Sequence, residues 1–146
     1  MRVRIGPSPI DRKGLFAIQG IPTGTRILQY IGEKITKRES QERLDDGNEY
    51  IFYLNTRYDI DGKTRKNTAR YMNHSCAPNC VIVYTRGTIW IVAPRDIPVG
   101  EELTYNYGFP PDECADYPCH CGAKQCCGYI LDRRYWGLIQ RQGQEE

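Results

Sequence analysis

Apolar and polar positions change period several times along this chain, and each change marks an element. The segment KGLFAIQGIPTGTRILQYIGEKI (residues 13–35) runs through short apolar stretches punctuated by Gly and Pro. That pattern predicts two short strands joined by a turn at Pro22 to Gly24. In the TKRES that follows, Thr36 and Glu39 have capping-box spacing, so a short helix opens there and ends near Gly47. YIFYLN (50–55) is rich in β-formers and predicts a strand. VIVYTRGTIWIVA (81–93) is the clearest element, two β-rich runs around the two-residue turn Arg86–Gly87, hence a hairpin. IPTGTRILQYIG (21–32) is echoed by IPVGEELTYNYG (97–108), each an Ile-Pro-x-Gly turn followed by a strand. The echo predicts two similar β-units packed together. The whole reads as mostly β (α+β) with one short helix. Beyond residue 112 the periodicity stops and cysteines take over.

A chain of 146 residues is the size of one domain with one core. Its 20 basic and 18 acidic residues nearly cancel, which argues against direct nucleic-acid binding through phosphate neutralisation. No segment approaches the roughly 20 apolar residues of a membrane span, and the amino terminus MRVRIGPSPIDRKG lacks the apolar stretch of a signal peptide. A soluble, intracellular protein without membrane partners is expected. Eleven tyrosines against three phenylalanines point to a polar-lined cleft, since buried hydroxyls need partners. Seven cysteines, an odd number, point to metal or thiol chemistry before disulfides.

In CHCGAKQCCGYI (119–130), Cys119, Cys121 and Cys126 form C-x-C-x4-C around a tight turn at Gly122 and can converge on one ion. Tetrahedral zinc needs a fourth ligand. The candidates are Cys76, Cys80, Cys114, Cys127, His74 and His120, of which Cys127, adjacent to a ligand, and His120, between two ligands, fall back. Buried inert thiols are the plainer alternative, but four cysteines in nine residues is dense for core filling. RYMNHSCAPNC (70–80) also allows a nucleophile pair of Cys76 with His74. That reading is disfavoured because side chains two apart on an irregular loop seldom face each other, and because zinc would consume the thiolate.

With NHSC and the following Pro-Asn at 73–79, EELTYNYGF at 101–109 and the C-x-C-x4-C run, the chain resembles the SET-domain protein-lysine methyltransferases with a post-SET tail. KGLFA, YIGE at 30–33 and YIFYL at 50–54 extend the likeness in the family's order. The resemblance implies several short curled β-sheets with a carboxyl-terminal pseudoknot. It places a SET core at 1–112, a zinc-bound post-SET segment at 113–131 and an extension at 132–146. It also implies S-adenosylmethionine as methyl donor, consistent with the lack of a G-x-G-x-x-G fingerprint, and one structural zinc with Cys76 as fourth ligand.

By the same resemblance Tyr107, Tyr105 and Tyr50 make up the catalytic set: Tyr107 is the catalytic tyrosine and also contacts the donor, and Tyr105 stands at the family's phenylalanine/tyrosine switch, sharing the substrate channel with Phe52. Tyr50 serves both channel and donor. The backbone of Lys13, Gly14 and Leu15, with Arg70, Asn73, His74 and His120, lines the donor pocket. The expected activity is mono- to dimethylation of a lysine in a histone tail or another basic protein. The expected location is the nucleus in a eukaryote and the cytoplasm in a prokaryote. A non-catalytic module that binds a peptide or partner is the alternative. Two residues depart from the family pattern: Arg12 replaces the first glycine of a G-x-G turn, and Asn106 replaces the aspartate between the two tyrosines.

Overall fold

A computed structural model describes residues 2–138; the extension beyond residue 138 lies outside the described residues. In chain order the elements are β1 (Val3–Pro7), β2 (Lys13–Ala17), β3 (Arg26–Tyr30), β4 (Glu33–Thr36), α1 (Lys37–Asp45), β5 (Ile51–Tyr53), β6 (Tyr58–Asp61), β7 (Asn73–His74), β8 (Val81–Thr85), β9 (Thr88–Val92) and β10 (Glu102–Tyr105). They form three small sheets with strand orders β1-β2-β10-β7, β3-β9-β8 and β4-β6-β5. This is the mostly β, several-sheet architecture that the sequence implies.

The β8–β9 hairpin turns at Arg86 and Gly87, both at positive φ, the conformation that a two-residue hairpin turn requires. Helix α1 begins where the capping box places it. Thr36 Oγ1 accepts the Glu39 N–H at 3.2 Å, and the helix ends at Asp45. The buried residue of α1 is Ser40, so the helix docks by polar contacts and not by an apolar stripe. Ser40 donates to Asp59 on β6 at 2.6 Å, and Lys37 pairs with the same carboxylate.

The Ile-Pro-x-Gly echo becomes an exchange of partners. The Pro22–Gly24 turn joins β2 to β3, yet these strands enter different sheets: β2 pairs with β10 and β3 with β9. Ile21 and Ile97 bridge the two turns with reciprocal hydrogen bonds of 2.9 and 2.8 Å. Around that bridge the bonds repeat as a local twofold: Gly24 N–H to the Ala93 carbonyl mirrors Gly100 N–H to the Ala17 carbonyl. Likewise Ala93 N–H to Thr25 mirrors Ala17 N–H to Glu101. Both glycines hold positive φ, which a side chain would strain. Ile21, Ile97, Ala17 and Ala93 are all buried in the main core.

The loop 73–80 is laced to β10. β7 pairs parallel to it, Ser75 N–H donates to the Tyr105 carbonyl, and Cys80 N–H donates to the Thr104 carbonyl. Asn79 closes the loop, donating to the Glu102 carbonyl at 2.7 Å and accepting the Thr104 N–H at 2.8 Å. Tyrosines 105 and 107 therefore leave β10 directly against Asn73 and His74.

Candidate active site and metal centre

The turn between β1 and β2 is tied down by a carboxylate. Glu102 accepts from Ser8 Oγ at 2.8 Å and from Asn73 Nδ2 at 2.9 Å. Asn73 Nδ2 also lies 3.1 Å from the Asp11 carbonyl and 3.0 Å from that of Lys13. The Asn73 amide is thus committed to holding this turn. Gly14 leaves room for the arrangement, because a Cβ there would fall 2.1 Å from Glu102 Oε1. Leu15 is buried in the core.

Arg12, in the place of the expected glycine, has φ 36°, so the departure is a strained one. Left-handed backbone costs an L-residue about 1–2 kcal/mol, and glycine's extra unfolded-state freedom returns about 0.5–1 kcal/mol of that. Arg12→Gly is therefore expected to stabilise the chain by about 0.5–1 kcal/mol, seen as a rise in Tm by calorimetry.

A row of rings runs from the core to the tail. Tyr30–Phe52, Phe52–Tyr105, Tyr105–Tyr107, Tyr107–Phe109 and Phe109–Tyr117 have centroids 4.6, 5.9, 4.8, 5.8 and 4.9 Å apart. Two cavities meet along it. One, of about 220 Å³, is lined by Asn73, His74, Tyr107 and His120 among others. The other, of about 1490 Å³, takes in Lys13, Tyr50, Phe52, Arg70 and Tyr105. Tyr107 borders both.

The Tyr107 hydroxyl donates to the Met72 carbonyl at 2.5 Å, and its backbone N–H donates to His74 Nδ1 at 3.0 Å. His74 therefore carries its proton on Nε2, and burial lowers its pKa to about 4, leaving it neutral. Burial raises the Tyr105 and Tyr107 phenols well above their usual value, so both stay protonated. Asn106 does more than keep an aspartate's shape. Its Oδ1 accepts the Gly108 N–H at 2.7 Å, and its Nδ2 donates to the Leu131 carbonyl at 3.3 Å, a bond no carboxylate could make.

Cys76, Cys119, Cys121 and Cys126 bring their sulfurs within 4.8 Å of one another. The Cys76 sulfur lies 3.8 Å from that of Cys119 and 3.7 Å from that of Cys126. A zinc–sulfur tetrahedron with bonds of about 2.3 Å has edges of about 3.8 Å, so the donor set fits zinc. Burial opposes ionisation at Cys121, but the N–H groups of Cys76 and Ala123 and the neighbouring thiols outweigh it and bring that thiol to about 6. Burial pushes the Cys119 thiol up to about 12 and that of Cys76 higher still. A bound dication would ionise such thiols.

Of the remaining cysteines, Cys80 is a core thiol and Cys114 is buried, donating to the Pro111 carbonyl at 3.3 Å. Cys127 donates to the Tyr129 carbonyl. One expectation is corrected: Cys76 Sγ and His74 Nε2 do face each other, 3.7 Å apart, because β7 ends at His74 and the chain turns at once. Sequence reasoning missed Ser8 and Glu102. The pairing of β2 with β10 places Glu102 beside the turn, and no local pattern signals it.

The fold and these paired cavities beside a four-thiol cluster define a class, which comparison with known proteins makes specific. A SET-domain profile matches residues 12–108, and the chain belongs to the SET-domain family. It is 41% identical over 139 residues to the histone-lysine N-methyltransferase, H3 lysine-4 specific, of Schizosaccharomyces pombe, covering 88% of this chain and 15% of that protein. It is 38% identical over 134 residues to human histone-lysine N-methyltransferase 2D, covering 85% of this chain and 2% of that protein. With histone-lysine N-methyltransferase set1 of Dictyostelium discoideum it shares 37% identity over 135 residues, which is 86% of this chain and 9% of that protein. The chain thus spans a small fraction of these relatives. No described helix is long and apolar enough to cross a membrane.

Proposed function

We propose that the chain is an S-adenosylmethionine-dependent protein-lysine N-methyltransferase acting on a histone tail or another basic protein, with the nucleus as its site in a eukaryotic cell. The observation that carries this is the place of Tyr107 on the wall shared by the small cavity and the large groove. The bound donor supplies an electrophilic methyl group on a sulfonium. His74, His120, Arg70 and the backbone of Asn73 and of residues 13–15 would hold it, and the substrate lysine would enter past Phe52 and Tyr105. Residues 1–112 form the catalytic core in this reading, with 113–131 as its zinc-held cover.

The chain's own task is to present a neutral amine. A lysine with pKa near 10.4 is neutral in about one molecule in 2,500 at pH 7, a penalty of about 4.6 kcal/mol. The rings of Phe52, Tyr105 and Tyr107 desolvate the ammonium and so lower that penalty. Tyr107, anchored on Met72, keeps its hydroxyl beside the amine as an orienting group and not as a base. Incubation with radiolabelled donor and core histones, followed by mass spectrometry of the labelled band, tests the activity. Donor binding without transfer to histones or to any protein of a host lysate would favour the non-catalytic binding module instead.

Tyr105 sets the product. Packed between Phe52 and Tyr107, it fills the space that further methyl groups would need. Wild type should make mainly monomethyl-lysine with some dimethyl-lysine, and Tyr105→Phe should shift the products to di- and trimethyl-lysine. Intact mass of a lysine peptide over a time course reads the shift. Mostly trimethylated product from wild type would remove Tyr105 from this role.

A further inference from the structure

Tyr50 and Arg70, on the wall of the large groove, lie on irregular chain: Tyr50 just before β5, Arg70 in the 3-10 turn Thr68–Tyr71. Their supports converge on one carboxylate that lines neither cavity. Asp61, at the end of β6, is 8% exposed. Its Oδ1 accepts from Asn48 Nδ2 at 3.0 Å and from the Lys63 N–H at 3.0 Å, while Oδ2 accepts from Arg43 at 2.7 Å. Asn48 in turn accepts the Tyr50 N–H at 2.8 Å. The Tyr50 carbonyl accepts from Gly62 N–H at 2.9 Å and from the Tyr30 hydroxyl at 2.8 Å.

On the other flank, the Lys63 carbonyl accepts from the Arg70 guanidinium, which stacks 4.3 Å over the Tyr50 ring. Arg70 Nε is buried without a hydrogen-bond partner among the described residues. The guanidinium is held by the Lys63 carbonyl and by stacking on Tyr50 and, at 5.2 Å, on Tyr71. The first two of these trace back to Asp61.

We infer that Asp61 is a positioning residue: through Asn48 on one side and Lys63 on the other, it sets where Tyr50 and Arg70 stand on the donor side of the groove. The inference rests on the methyltransferase reading. Burial opposes the charge on Asp61, but the bonds from Asn48, Arg43 and Lys63 outweigh it and keep the carboxylate ionised. Asn48 is the sequence-local link, two residues before Tyr50, and Lys63 is two residues after Asp61.

The test uses the full chain and S-adenosylhomocysteine as probe, with binding by calorimetry and donor kinetics on histones. Asp61→Asn keeps the shape but sets an amide against donors, and Asn48→Ala removes the link to Tyr50 while leaving the Asp61–Arg43 pair. Each is expected to weaken probe binding about tenfold and to raise the donor KM more than it lowers kcat, as misplacement of a binding wall predicts. Ser40→Ala, which removes a buried hydrogen bond to Asp59 on the same strand, is the matched control. It should lower Tm and leave probe affinity unchanged. Wild-type affinity in both Asp61→Asn and Asn48→Ala, or an equal loss in Ser40→Ala, overturns the inference. If Asp61→Asn fails to fold, Asn48→Ala decides alone. No probe binding by wild type would instead overturn the methyltransferase reading itself, and the inference with it.

Discussion

Tyr107→Phe is expected to lower the rate of methyl transfer about 10²-fold while the protein folds and binds the donor as before. The ring keeps its place, packed against Tyr105 and Phe109 and edge-on to His74 with centroids 5.4 Å apart. The backbone N–H bond to His74 is untouched by the change. Only the oxygen that donates to Met72 is lost, and a single hydrogen bond contributes about 1 kcal/mol of net stability. The amine then loses the polar group that orients it, and small errors of placement cost much in rate. Single-turnover transfer with labelled donor measures the effect, and S-adenosylhomocysteine calorimetry checks that binding is retained. A variant with more than half of the wild-type rate would leave Tyr107 without a part in the chemistry.

Removal of metal, or Cys76→Ser, is expected to abolish most activity, by at least about tenfold, while the far-ultraviolet signal of the β-sheets persists. Besides the sulfurs, the tail meets the rest of the chain through the buried Leu131, the Phe109–Tyr117 ring contact and a few hydrogen bonds. Asn106 reaches Leu131, Asp132 N–H donates to Phe109, and within the tail Cys119 N–H donates to Gly128. Tyr117, His120 and Ile130 of this tail line the small cavity, so a loosened tail opens it to water. All ten strands precede the tail cysteines in the chain, which is why the sheets should survive. Native mass spectrometry should find one zinc per chain. Full activity in metal-free protein would contradict the four-thiol assignment.

Local signals in the sequence were enough for the elements that close on themselves. The Arg86–Gly87 hairpin and the Thr36 cap each need only neighbours within a few residues. The strands β1, β4 and β6 were not legible, because their partners are set by sheet pairing and each is only four or five residues long. The cysteine set was half legible. Spacing brought Cys119, Cys121 and Cys126 together, whereas Cys76 lies some 43 residues upstream of Cys119 and was reached only through family likeness. Asp61, Glu102 and Ser8 carry no motif at all. Their placement arises from strand registers that bring distant carboxylates under turns, as Glu102 comes to Gly14.

The exchange of partners at Ile21 and Ile97 also governs how this chain can fold and come apart. Neither turn completes its own sheet: β2 has only β1 beside it, and β3 has no partner, until the second β-unit has been brought to them across more than seventy residues. Closing so long a loop comes before any reward from the contacts it makes, which slows the search for the native topology. Once closed, β2, which follows the turn tied down by Glu102, and β10, which carries Tyr105, are hydrogen-bonded neighbours. Hydrogen exchange should therefore find β2 and β10 opening together as a single cooperative unit, with the two halves of the site lost in one event.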